Sequence, residues 1–201
     1  MTKIKFCGMR RPEDIAAANE IKPEYIGFVL APQFWRHISR ETARALKAAL
    51  SPDIQAVGVF VDNPFEEVLS YLQSDIIDIA QLHGQEDDEF IRRLQSESGK
   101  KVIKAFKITS AGDLERACGS PADMVLLDSG TGTGELFDHS LIRGFGRDYF
   151  LAGGLDPHNV GAALRNLTPY AVDVSSGIET EKLKDKEKMR AFAQAVRSRS
   201  I

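Results

Sequence analysis

Short, almost uninterrupted apolar runs recur along the whole chain, each followed by a stretch with helical spacing. Candidate strands are residues 3–7, 24–30, 54–61, 76–82, 101–106, 123–127, 149–151 and 170–174. Helical patterns fall at residues 12–20, 39–50, 65–72, 87–96, 110–117, 138–143, 157–164 and 185–197. Strand and helix therefore alternate about eight times, with a period of roughly 25 residues. Strands that are apolar throughout, rather than at every second position, imply a parallel sheet covered on both faces. Eight such units in 201 residues sit at the lower size limit of a (β/α)8 barrel. An open doubly wound sheet is disfavoured by the closing strand–helix pair and by the lack of a G-x-G-x-x-G segment after the first strand. No linker-like stretch or shift in composition divides the chain. The expected fold is α/β, a single (β/α)8 TIM barrel, with one domain over residues 1–201.

Local signals agree with this alternation. Pro12 suits a first helical turn, and Ser39 is placed to cap the second helix, with Thr42 where a capping-box acid would stand.

Composition narrows the partners. The net charge of −3, with 27% charged residues, argues against a nucleic-acid surface. Pairs such as Arg10-Arg11 and Lys100-Lys101 read as solvated helix and loop positions. No apolar run approaches the length of a membrane span, so no membrane partner is expected. Met1 to Lys5 runs straight into the first strand without the apolar core of a signal peptide. The two cysteines, Cys7 and Cys118, lack metal-type spacing, which points to a reducing, cytoplasmic location. His83 has no companions at ligand spacing, so no metal is expected. A monomer is preferred to a homodimer.

In a barrel the loops after the strands open onto one face, so residues at those junctions converge. They are Cys7, Arg36, Asp62, His83, Lys107, Asp128, Gly153-Gly154, and Asp173 with Ser175-Ser176-Gly177. The two small-residue turns follow the seventh and eighth strands, where barrels commonly hold a phosphate on backbone N–H groups. Cys7 is either a small hydrophobe ending a core strand or a thiol at the barrel mouth, with a helix-opening loop to stabilise its thiolate. Asp128 is a turn cap or a general acid, beside a glycine-rich stretch, residues 129–134, suited to a lid. Arg36 either packs on Trp35 at the surface or pairs with a carboxylate while stacking on an aromatic ring. His83 reads as a hydrogen-bonded structural histidine or a proton carrier. Cys118, before Gly119 at a helix end, reads as structural.

Taken together, these segments resemble one family. Its carriers are Lys5-Phe6-Cys7-Gly8-Met9, Gly27-Phe28-Val29 with Pro32 and Arg36, Val57-Gly58-Val59-Phe60, and Gln81-Leu82-His83-Gly84. They continue with Leu127-Asp128-Ser129, Gly132-Thr133-Gly134, Phe137-Asp138, Leu151-Ala152-Gly153-Gly154-Leu155 and residues 172–179. In this order and spacing the chain is similar, over essentially its whole length, to the phosphoribosylanthranilate isomerases. The resemblance implies an Amadori rearrangement of N-(5-phosphoribosyl)anthranilate to the 1-deoxyribulose form, in tryptophan biosynthesis, without cofactor or metal. It implies that Asp128 is the general acid and Cys7 the general base. It also implies that Arg36 pairs with the anthranilate carboxylate, that His83 and Asp173 border the substrate, and that Gly153, Gly154, Ser176 and Gly177 cradle the phosphate.

Two positions depart from the family pattern, Phe34-Trp35 in the loop before Arg36 and His139 after Asp138. The related isomerase of histidine biosynthesis is the nearest rival, but it places an aspartate after the first strand and shows a two-fold repeat. Indole-glycerol-phosphate synthase expects catalytic lysines and glutamates that are missing here. A non-catalytic phosphate-binding barrel would have no need of both Cys7 and Asp128.

Overall fold

In a computed structural model, the structure describes residues 1–128, 142 and 144–198. Strands β1 (Lys3–Cys7), β2 (Tyr25–Val29), β3 (Gln55–Phe60), β4 (Ile79–Leu82), β5 (Lys101–Lys107), β6 (Met124–Asp128), β7 (Tyr149–Ala152) and β8 (Ala171–Val174) form a closed parallel barrel in sequence order. Around it run helices α1 (Pro12–Ile21), α2 (Arg40–Ala49), α3 (Phe65–Gln73), α4 (Asp88–Ser98), α5 (Ala111–Gly119), α6 (Val160–Asn166) and α7 (Lys186–Arg197). The expected (β/α)8 architecture is borne out. The expected helix at residues 138–143 and the glycine-rich stretch at 129–134 lie outside the described residues.

Side chains alternate across each strand, which creates two cores. Residues such as Ile4, Phe6, Ile26, Phe28 and Phe60 pack between the sheet and its helices. The opposite parity fills the barrel itself with Tyr25, Val57, Ile79, Ile103, Met124, Leu126, Phe150 and Ala171. Phe150 meets Tyr25 edge-on at 5.4 Å between ring centroids and lies 5.8 Å from Tyr170. Burying a phenylalanine this completely contributes about 2–3 kcal/mol. The inward parity then carries upward to the mouth: Lys5 and Cys7 on β1, Gln81 on β4, Asp128 on β6, Ala152 on β7 and Asp173 on β8. Closure is made by β1 against β8, with Lys5 in register with Asp173.

Three boundaries differ from the sequence expectation for physical reasons. β4 begins at Ile79, because Asp75 adopts a left-handed φ of 53° and Ile76 N–H still donates to Tyr71 O (3.3 Å), completing the end of α3. α6 begins at Val160, because the Asp156 carboxylate accepts from the N–H groups of His158 and Asn159 at 2.7 and 2.8 Å and holds a turn there first. Beyond β8, a 3-10 turn (Ser176–Ile178) leads into a hairpin of β9 (Glu179–Thr180) and β10 (Leu183–Lys184), which the apolar pattern did not announce. Ser39 does cap α2, accepting from Thr42 N–H.

Candidate active site

A cavity of about 400 Å3 opens at the C-terminal mouth of the barrel. Cys7, Arg36, His83, Asp128, Gly153, Gly154, Asp173 and Ser176 all line it, so eight of the nine residues nominated from sequence meet there. Gly177 does not line it. A Cβ at Gly177 would stand 2.0 Å from Leu155 O. This glycine instead lets the turn after β8 press against the turn after β7. Of the other junction residues, Asp62 is turned to the neighbouring loop, where its carboxylate accepts from Gln85 N–H (2.6 Å), and Lys107 is exposed.

Cys7 ends β1 because Gly8 takes a left-handed φ of 81° and the N–H groups of Gly8 and Met9 both donate to Gly27 O. The thiol occupies space that Gly27 leaves open: a Cβ there would lie 2.8 Å from Cys7 Sγ and 3.3 Å from Lys5 Nζ. Lys5 is fully buried and donates to Asp173 Oδ1 at 3.0 Å. Burial works against its ammonium, but Asp173 and then Cys7 outweigh it and hold Lys5 above the ordinary lysine range. Burial pushes the Cys7 thiol up, Asp173 adds to this, and Lys5 and Lys184 recover only part of the shift. The expected thiolate stabilisation by the following loop is therefore corrected. A buried thiol beside a neutralised lysine keeps its proton longer than a free one.

Asp128 ends β6, on the part of the wall separated from β1 by β7 and β8. His83 Nε2 stands 3.6 Å from Asp128 Oδ2, and Gln81 Nε2 lies 3.3 Å from His83 Nδ1. With the Gln81 amide donating to Nδ1, the His83 ring presents an Nε2 proton to Asp128. Gln81 is buried, and its Oε1 has no hydrogen-bond partner among the described residues.

At one side of the cavity Gly153 and Gly154 adopt φ values of 103° and 62°, a backbone that only glycine holds without strain. Their turn and the Ser175-Ser176 turn after β8 bring peptide groups to the cavity edge. Arg36 also lines the cavity, 4.1 Å from the Trp35 ring centroid and joined to Glu179 by two hydrogen bonds of 2.9 and 2.8 Å. Arg36 thus packs on Trp35, as one of its two alternatives expected, and it also pairs with an internal carboxylate. Val29, Val59, Val61, Phe34 and Trp35 give the cavity an apolar wall. Among the described residues, no group of three or more His, Cys, Asp or Glu is placed to hold a metal ion.

The family model of N-(5'-phosphoribosyl)anthranilate isomerase matches residues 4–195. The chain belongs to this family. An N-(5'-phosphoribosyl)anthranilate isomerase from Thermoanaerobacter sp. (strain X514) is 42% identical over 204 aligned positions, covering 98% of both chains. Among solved structures, a phosphoribosylanthranilate isomerase in complex with reduced 1-(o-carboxyphenylamino)-1-deoxyribulose 5-phosphate superposes with a TM-score of 0.89 at 35% identity, covering 98% of this chain and 100% of that one. Monomers generated from the dimeric isomerase of Thermotoga maritima superpose with a TM-score of 0.88, also at 35% identity and with the same coverage. As a phosphoribosylanthranilate isomerase, the protein is an aldose–ketose isomerase of tryptophan biosynthesis.

The isomerase barrel also holds site residues that sequence reasoning passed over. Lys5 shares the parity of Cys7, and that alternation was the available signal. Gln81 lies two residues before His83 on the same inward parity. Glu179 closes the 172–179 segment, but its pairing with Lys184 comes only through the unannounced hairpin.

Proposed function

We propose that Asp128 and Cys7 are the general acid and general base of this isomerisation. The acid donates a proton to the furanose ring oxygen, the C1–O bond breaks, and an iminium forms between C1 and the anthranilate nitrogen. The base then removes the proton from C2. The released electron pair makes the C1–C2 double bond and neutralises the iminium, leaving an enolamine that tautomerises to the ketose. No atom is gained or lost, and no cofactor or metal takes part in this route. The observation that carries the reading is the joint placement of Cys7 and Asp128 on inward-facing strand ends around one cavity.

The remaining roles follow the shape of a phosphorylated small-molecule substrate. Its phosphate is taken by the backbone of Gly153, Gly154 and Ser176, with Gly177 holding the two turns together. Its carboxylate is taken by Arg36, and its ring lies on the apolar wall. His83 and Asp173 border the sugar, Asp173 near the bridging amine. Anchors at both ends hold the reacting carbons between acid and base, which lowers the entropic part of the barrier. A relative that binds a reduced carboxyphenylamino-deoxyribulose phosphate supports this pairing of phosphate and carboxylate anchors. This reading assigns the work to the cytoplasm and to one domain over residues 1–201; among the described residues no helix is long and apolar enough to cross a membrane.

Purified protein is expected to consume phosphoribosylanthranilate, followed as loss of anthranilate-type fluorescence. Cys7→Ser and Asp128→Ala should each lower kcat by at least about 100-fold, the usual contribution of a positioned acid or base. Full turnover in Asp128→Ala would remove the acid assignment, and an unchanged rate in Cys7→Ser the base assignment.

A further inference from the structure

The guanidinium of Arg36 is held along one edge only. Its Nε–H and one Nη2–H donate to the two oxygens of Glu179 at 2.9 and 2.8 Å. Trp35 covers a face at 4.1 Å from the ring centroid. Among the described residues no acceptor meets Nη1, so the end formed by Nη1 and the outer N–H of Nη2 stays available. Arginine has five N–H donors in a planar fork, enough for two carboxylates at once, one along the side and one at the end.

We propose that Glu179 is a positioning residue that aims this open end of Arg36 at the substrate carboxylate. The inference rests on the reading of Arg36 given above. Glu179 is suited to the task because it is itself fixed. Across the hairpin it is in register with Lys184, whose Nζ donates to Glu179 Oε1 at 2.7 Å and to Ser175 O at 2.9 Å. Both side chains are almost fully buried, at 8% and 2% exposure. Burial pushes the Glu179 carboxyl up, but the bonds from Arg36 and Lys184 outweigh it and keep it below the ordinary range, as an acceptor for both. Gly8 completes the seat: a Cβ there would stand 2.7 Å from Arg36 Cδ, so a larger residue would displace the arm. The hairpin thus ties the carboxylate anchor to the same segment that carries the Ser175-Ser176 turn.

The test is a double-mutant cycle in steady-state turnover of phosphoribosylanthranilate, with inorganic phosphate as a competitive inhibitor reporting on the other anchor. Glu179→Gln is expected to raise KM about tenfold, the scale of one charge-assisted hydrogen bond, with kcat changed less than about two-fold. Adding Glu179→Gln to Arg36→Met should change KM no further, and inhibition by phosphate should be the same in all four proteins. If Arg36→Met leaves KM unaltered, the carboxylate-anchor reading fails and this inference with it. If Arg36→Met raises KM but Glu179→Gln does not, the inference alone fails. It also fails if the two effects multiply in the double variant, or if phosphate inhibition weakens in parallel with KM. Should the lone Lys184 charge unfold Glu179→Gln, Glu179→Asp, which keeps a charge beside Lys184 but withdraws the acceptor from Arg36, is read in the same way.

Discussion

At Cys7 several groups contend over one proton. Burial and Asp173 favour the thiol, while Lys5 and Lys184 favour the thiolate, and burial prevails in the free protein. A base of this kind becomes more available as pH rises, because the thiolate fraction grows until its raised pKa, above an unperturbed value of about 8.5, is passed. In a Cys118→Ser background, which leaves one thiol, alkylation by iodoacetamide reads the Cys7 thiolate alone, and its rate should climb between about pH 7 and pH 9, by up to roughly tenfold per unit. Lys5→Met removes one of the two opposing cations and should move that limb to still higher pH. An alkylation rate flat over this range would show that burial does not hold the Cys7 proton. Cys7 itself is legible in the sequence, since a strand end before Gly8 places it at a barrel mouth. Its environment is not, because a lysine in a terminal strand reads as solvent-facing until the closed sheet gives its parity a meaning. The same applies to Gln81, whose inward direction is set by its register with Val59 and Ile103 on the neighbouring strands.

Elements begin and end where side chains satisfy backbone groups, and α5 shows the pH consequence. The Asp113 carboxylate accepts from the N–H groups of Thr109 and Ser110, from both their hydroxyls and from Arg116. The Thr109 backbone bond and the Arg116 bond lead in holding its pKa far below the ordinary carboxylate range. A depressed folded-state pKa contributes stability that is complete above the unfolded value, about 3.9, and is lost as pH falls through the folded one. Asp113→Asn should therefore melt below the wild type at neutral pH, with the gap closing as pH drops below about 4. A gap that stays constant with pH would show that the cap acts without its charge. Caps built from Ser or Asp next to an apolar run, such as Ser39, can be read directly from the chain. The β9–β10 hairpin cannot, because its turn residues Glu181 and Lys182 take φ values of 50° and 63° without the Asn or Gly that usually announces such a turn. The reach of Arg36 to Glu179 was hidden with it.

For the whole molecule, the alternation of apolar strands and helices gave a parallel sheet covered on both faces, and the closing strand–helix pair with the lack of a G-x-G-x-x-G segment turned the choice to the barrel. What surrounds the mouth depends on long-range register and was less accessible. Among the described residues the large exposed apolar side chains are Met1, Phe34, Trp35 and Leu183. Trp35 is engaged by the cations of Arg36 and Arg10, at 4.1 and 4.7 Å from its ring centroid. Among the described residues these few side chains offer little apolar surface for a stable self-association, which usually buries about 800 Å2 on each partner. Sedimentation at micromolar concentration should accordingly give a monomer, and a concentration-independent dimer would contradict this even though a Thermotoga maritima relative is dimeric.

The Lys5–Asp173 pair joins the first strand to the last. A ribosome releases Lys5 and Cys7 well before the carboxylate that neutralises this lysine, and Glu179 later still. The thiol therefore acquires its working surroundings in a single late event, when the ring shuts on itself. Fragments cut short of β8, whether from interrupted translation or proteolysis, carry Cys7 and Lys5 but lack Asp173 and Lys184, the other charges that act on the thiol proton.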